Sequence, residues 1–145
     1  MKLSADKLED YILIIGCGRL GASIANSLSI KNRSVTIIDE SKDAFRKLAS
    51  SFGGLALEGD ATDLNILKEA EIEKCKVVIS VTNNDNTNIM IAQMAKTMFS
   101  VDKVIARLYD PEKECIYKEF DVDTIFPSIL STNEVDKILD IGREK

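Results

Sequence analysis

The sequence predicts an α/β fold: a doubly wound parallel sheet of about six strands with helices on both faces. Three observations predict it. Short apolar runs alternate with stretches of helical periodicity along the whole chain. A turn holding three glycines follows the first apolar run and opens the first helical stretch. The second apolar run ends on an acid, Asp39. At 145 residues, 45% apolar and 30% charged, the chain suits one globular domain with a single sizeable core.

Tyr11 to Ile15 reads as the first buried strand, and Arg19 to about Lys31 as a helix with Leu20, Ile24, Ala25 and Leu28 on one face. Val35 to Ile38 is the second strand. Ser41 is placed to cap a helix turning Ala44, Phe45, Leu48 and Ala49 inward, and Gly53-Gly54 breaks it. Leu55 to Leu57 is a short third strand, and Leu64 to Ala70 a short helix. Cys75 to Val81 is the fourth strand, followed by a helix from about Asp85 to Met98. Lys103 to Leu108 is the fifth, and Pro111 suits the first turn of a helix running towards Phe120. Asp123 to Phe126 is the sixth. Pro127 begins the last segment, in which Ser131 to Ile141 carries Val135, Ile138 and Leu139 at helical spacing. Such alternation requires parallel strands joined by crossovers, with the strands buried on both faces.

Composition excludes several functions. With 24 acidic and 19 basic residues the formal charge is −5, which argues against a nucleic-acid-binding surface. There is no histidine, so the commonest general base and metal ligand are both absent, and no metal site is expected. Cys17, Cys75 and Cys115 are odd in number and form no CxxC pair, as for thiols in a reducing compartment. No apolar run reaches the length of a membrane span, and MKLSADKLED lacks the apolar stretch of a signal peptide. A cytoplasmic location is expected.

The chemistry lies in GCGRLG, residues 16 to 21. GxGxxG alone is a weak signal, but here it joins a strand to a helix, the context in which it cradles a diphosphate. Gly16 permits the tight turn, Gly18 lets phosphate approach the backbone, and Gly21 lets the helix pack close; Cys17, Arg19 and Leu20 complete the turn. Asp39, 23 positions after Gly16 and followed by Glu40, stands where an acid accepts ribose hydroxyls and repels a 2′-phosphate. Gly59, Asp60 and Ala61 follow the third strand, at the adenine edge. Ser80, Val81, Thr82 and Asn83 end the fourth, beside the glycine turn. Arg19 can fold back on a terminal phosphate or stand exposed in the first helical turn. The ligand class is an adenine nucleotide: ATP or ADP, NAD or NADH, or AMP. Residues 1–10 read as a flexible tail, 11–130 as a Rossmann-like nucleotide-binding domain, and 131–145 as a terminal helix.

These motifs occur in a known order. GCGRLG, TIIDES at 36–41, LEGDATD at 57–63, SVTNNDNTNI at 80–89 and ARLYDPE at 106–112 resemble the RCK domain family. These are the regulators of K⁺ conductance, also called KTN domains, which form the N-terminal domain of Trk/Ktr potassium-uptake regulators. The resemblance covers about residues 10–140. It implies a cytoplasmic nucleotide sensor that gates a membrane potassium transporter, self-associates as a homodimer and builds an octameric ring. By the resemblance Gly16, Gly18 and Gly21 hold phosphates, Arg19 the terminal phosphate, Asp39 ribose, Asp60 and Ala61 adenine, and Ser80 and Thr82 the inner phosphate region. Arg107 matches the arginine of the family's AR-hydrophobic pattern and serves the ligand or the subunit contact. The family's regulators carry a further C-terminal subdomain, so the chain reads as a fragment or as a short form working with a second regulatory subunit. The stripe Val135, Ile138, Leu139 favours such a partner over packing on its own domain. Met90, Met94 and Met98 form a line whose edge is a candidate subunit contact.

The competing class is a small NAD-dependent oxidoreductase, or the nucleotide-binding fragment of one. Tyr109 and Lys113 give a YxxxK spacing, but Pro111 lies between them and prevents one continuous helix. A dehydrogenase also needs an acid or base and a place for substrate. The sequence therefore predicts binding without turnover, with Arg19 discriminating ATP from ADP through the third phosphate.

Overall fold

The computed structural model describes residues 11–141. The tail expected at residues 1–10 lies outside the described residues. Six strands form one all-parallel sheet: β1 (Ile12–Ile15), β2 (Val35–Asp39), β3 (Leu55–Glu58), β4 (Val77–Ser80), β5 (Lys103–Arg107) and β6 (Asp123–Ile125). Their order is β3-β2-β1-β4-β5-β6, so the chain reverses its direction of travel between β1 and β4. At that point Ile15 is in register with Ile38 on one side and Ser80 on the other. Among the described residues five α-helices accompany the strands: α1 (Arg19–Ile30), α2 (Leu64–Glu69), α3 (Asp85–Thr97), α4 (Glu114–Lys118) and α5 (Pro127–Leu139).

β1 can be wholly apolar because its side chains feed two cores. Ile12 and Ile14 pack with Ala22 and Ala25 of α1 and with Val35 and Ile37 of β2. Leu13 and Ile15 enter the opposite layer with Leu67 of α2, Ile91 and Ala92 of α3, and Tyr117 of α4. Leu13, Ile14, Ile37 and Ile38 are fully buried, each contributing about 1.5–3 kcal/mol of transfer free energy. α3 starts where the Asn84 side chain accepts the Thr87 N–H at 3.0 Å.

Three expectations are corrected. The segment after β2 is a 3₁₀ turn over Lys42–Lys47, in which Ser41 provides no side-chain cap and Ala49 is exposed. Its six residues cover little of the sheet, so β3 is an open edge: Leu55 is 70% exposed, and only Leu57 packs on the core. The methionine line splits, since steps of four residues drift around a helix of 3.6 residues per turn; Met94 is buried while Met90 and Met98 are exposed. α5 begins at Pro127, buries no residue, and leaves Val135, Ile138 and Leu139 between 51% and 75% exposed. Nothing among the described residues buries that stripe. Among the described residues no helix is long and apolar enough to cross a membrane.

Candidate functional site

The glycine turn lies at the carboxyl ends of β1 and β4, where the strand order reverses. Gly16 has φ +104°, and a Cβ there would stand 2.9 Å from the Val81 carbonyl oxygen. A Cβ on Gly21 would land on the Gly16 carbonyl. The fold itself therefore demands both glycines. Gly18 is different: its φ is −81°, and a Cβ there would meet no protein atom within 4 Å. It is the N-cap of α1 and offers no side-chain cap. The first helical bond runs from the Ala22 N–H to the Gly18 carbonyl at 2.9 Å, leaving the N–H groups of Arg19, Leu20 and Gly21 without acceptors inside the helix. An anion can bind there.

Asp39 faces this turn from the end of β2. One carboxylate oxygen accepts the Cys17 N–H at 2.7 Å and the other the Ser41 N–H at 2.8 Å. Two backbone donors thus fix its plane while each oxygen keeps lone-pair capacity for a ribose hydroxyl. The Cys17 thiol is buried and donates to the Ala44 carbonyl at 3.4 Å. Burial, and then the Asp39 carboxylate, raise its pKa above the ordinary thiol value. In the loop after β3, Asp60 accepts both the hydroxyl (2.6 Å) and the N–H (2.9 Å) of Thr62. Those bonds hold its carboxyl below the usual range.

Together these parts enclose a cavity of about 440 Å³. It runs from the glycine turn past Asp39 and the 3₁₀ turn to the loops after β3 and β4, with Thr87 and Ile91 of α3 at its back. It brings together Gly16, Cys17, Gly18, Asp39, Glu40, Gly59, Asp60, Ala61, Val81, Thr82 and Asn83. Five other sequence-predicted residues do not line it. Arg19 is exposed on the outside of the first turn of α1. Leu20 packs on the core beneath that helix, and Gly21 is buried against Gly16. Ser80 is fully buried and donates to Asn88 at 3.0 Å. Arg107 is 9% exposed, and its Nη2 donates to the carbonyls of Val81 (2.9 Å) and Thr82 (3.1 Å) and to Asn83 Oδ1 (3.3 Å). It therefore holds the back of the cavity wall.

Sequence reasoning missed two residues. Asn88, fully buried on α3, is the hub of the wall. Its Oδ1 accepts the Ser80 hydroxyl, the Thr82 N–H (3.0 Å) and the Thr82 hydroxyl (2.7 Å), and its Nδ2 donates to the carbonyls of Thr82 (3.1 Å) and Arg107 (2.9 Å). Its signal was position: four residues after the cap Asn84, it shares a helix face with the buried Ile91 and Ala92. Among the described residues Lys47 is the one cation lining the cavity, against Asp39, Glu40, Asp43 and Asp60. Tyr109 and Lys113 do not line the cavity; Lys113 donates to Asn86 at 3.2 Å.

A family model described as the TrkA-N domain matches residues 12–128. The Trk system potassium uptake protein TrkA of Streptomyces coelicolor is 39% identical over 115 residues, covering 79% of this chain and 52% of that protein. Among solved structures, a GsuK channel bound to NAD is 26% identical with a TM-score of 0.76, over 90% of this chain and 23% of that one. The TrkA-N domain of inner membrane protein ybaL from Escherichia coli superposes with a TM-score of 0.81 at 20% identity, over 90% of this chain and 96% of that one; this likeness concerns the fold alone. The chain spans about half the length of the curated relatives it matches.

Proposed function

The chain belongs to the TrkA-N domain family, the RCK regulators, and from that premise we propose that it is the nucleotide-sensing part of a potassium-uptake regulator. It binds an adenine nucleotide without turning it over. One observation carries the binding: Gly18, a residue whose missing side chain nothing in the protein requires, beside a helix N-terminus with unfilled donors. The turn and α1 hold the phosphates, Asp39 takes the ribose hydroxyls, and Asp60 with Ala61 borders the adenine. The acidic rim of Asp39, Glu40, Asp43 and Asp60 disfavours ligands with a 2′-phosphate.

The potassium role rests on the Trk relatives, in particular the Streptomyces coelicolor protein. The partners are a membrane potassium transporter and a second copy of the chain. The uncovered apolar face of α5 supports self-association, because such a stripe is rarely left to water. Nucleotide acts by preferring one assembly geometry over another, and it shifts the equilibrium by that difference in affinity alone.

Gly18→Ala tests the binding. Alanine is a poorer N-cap than glycine, so a stability loss of about 1 kcal/mol is expected. A Cβ pointing into the phosphate cradle should meanwhile weaken ADP at least tenfold in calorimetry. ADP affinity equal to that of the unaltered protein would reject the site.

A further inference from the structure

The first turn of α3 is tied in two directions. Towards the cavity, the Asn84 N–H donates to the Thr82 hydroxyl at 3.2 Å, and Thr82 and Asn83 line the wall. Away from it, Asp85 accepts the N–H groups of Tyr109 (2.9 Å) and Asp110 (3.0 Å), one on each carboxylate oxygen. A shift of this turn is therefore also a shift of the cavity wall.

Behind the turn lies a buried group without a partner. Tyr117 of α4 is 1% exposed, and its hydroxyl makes no hydrogen bond. Such an orphan is uncommon in a folded protein and needs a reason. Lys113, four residues before Tyr117, donates to Asn86 beside Asp85 at 3.2 Å, which puts Tyr117 on the side of α4 that packs on α3. Burial, and then the Asp85 carboxylate, raise the phenol above its ordinary pKa.

Two positions are thus open to the Asp85 carboxylate. In the present one it satisfies two backbone donors and leaves the phenol orphaned. In the other it accepts the Tyr117 hydroxyl in a charge-assisted bond and releases the two N–H groups to water. Water can reach them, because Tyr109 is exposed and Asp110 half-buried. The Tyr109 ring keeps its own anchor, with the Arg107 guanidinium 5.0 Å from its centroid. Neither position satisfies every group, and this conflict keeps the two close in free energy.

We propose that Asp85 is a two-position latch: it holds Tyr109 and Asp110 when the crevice is filled and turns to the Tyr117 hydroxyl when it is empty. The inference rests on the nucleotide-binding reading above and adds a moving part to it. A ligand that fits the cavity as it stands favours the present position through the Thr82–Asn83 wall, and it shifts the latch by that preference alone. The released loop carries Asp110, which caps the turn before α4, and α4 packs on β6, the strand that leads into α5.

Amide exchange at Tyr109 and Asp110, followed by NMR in the full chain and in Tyr117→Phe, tests the latch. The variant loses a hydroxyl that bonds nothing here, so its Tm should not fall, and a role in packing alone predicts no further change. The latch predicts that without ADP both amides exchange roughly threefold or more slowly in the variant than in the unaltered protein. Adding ADP should slow the unaltered protein to the variant's rate. Equal rates in the two proteins would overturn the latch, as would ADP that binds by calorimetry and leaves the amides of the unaltered protein unchanged. No heat with ADP would overturn the nucleotide reading and the latch together.

Discussion

Replacing Asn88 by alanine tests whether the cavity wall is held by one buried amide. The substitution strands the Ser80 hydroxyl, the Thr82 N–H and the Arg107 carbonyl, each of which has Asn88 as a partner. The other two bonds fall on groups with alternatives, since the Thr82 hydroxyl also reaches the Asn84 carbonyl and the Thr82 carbonyl also accepts from Arg107. An unsatisfied buried polar group costs about 1–3 kcal/mol, so three cost about 3–9 kcal/mol before relaxation. Thr82 is half-exposed and water can follow it, which places the expected loss near the lower bound, about 3 kcal/mol. For a chain of this size that corresponds to a fall in Tm of about 10 °C. The protein has no tryptophan, so urea unfolding is best followed by circular dichroism. A loss below about 1 kcal/mol, the scale of an ordinary surface change, would refute the hub.

Two further outcomes are expected. The Asp60 carboxyl is held low chiefly by the Thr62 hydroxyl, so its contribution is fully present above about pH 4 and is lost as the pH falls through its folded value. Thr62→Val should move the Asp60 pKa back up and flatten the acid limb of stability against pH; a carboxyl-carbon NMR titration with Asp60 unshifted would reject the cap. Of the three free cysteines only Cys115 is exposed, while burial pushes the Cys75 thiol up to about 12 and raises Cys17. Brief alkylation followed by peptide mapping should label Cys115 alone, and rapid labelling of Cys17 would mean that the glycine turn opens.

What could be read from the chain follows from how local its cause is. The runs at β1 and β2 are apolar throughout because both sheet faces are covered there, and the strand-turn-helix context of GCGRLG is contiguous, so both were legible. β3 was misread because LAL looks the same whether or not a helix covers it, and the cover proved to be a 3₁₀ turn. Arg107 was assigned to ligand or subunit contact, yet its acceptors are carbonyls some 25 residues away that no pattern announces. Asn88 sits in a polar string that reads as a solvated helix start. Its burial is decided by β5, which arrives later in the chain. Lys47 was passed over because a lone lysine in a surface turn carries no motif.

The position of β1 also governs how the protein is made. Ile12 pairs with Val35 on one side and with Val77 on the other, so the central strand cannot be completed until β4 has been synthesised. At translation speeds of about 5–20 residues per second, the 65 residues from Ile12 to Val77 take roughly 3–13 s to emerge. Throughout that interval β1 shows the ribosome's surroundings a bare, entirely apolar edge, the kind that pairs with other chains. A chain interrupted before β4 therefore leaves β1 with one side unpaired.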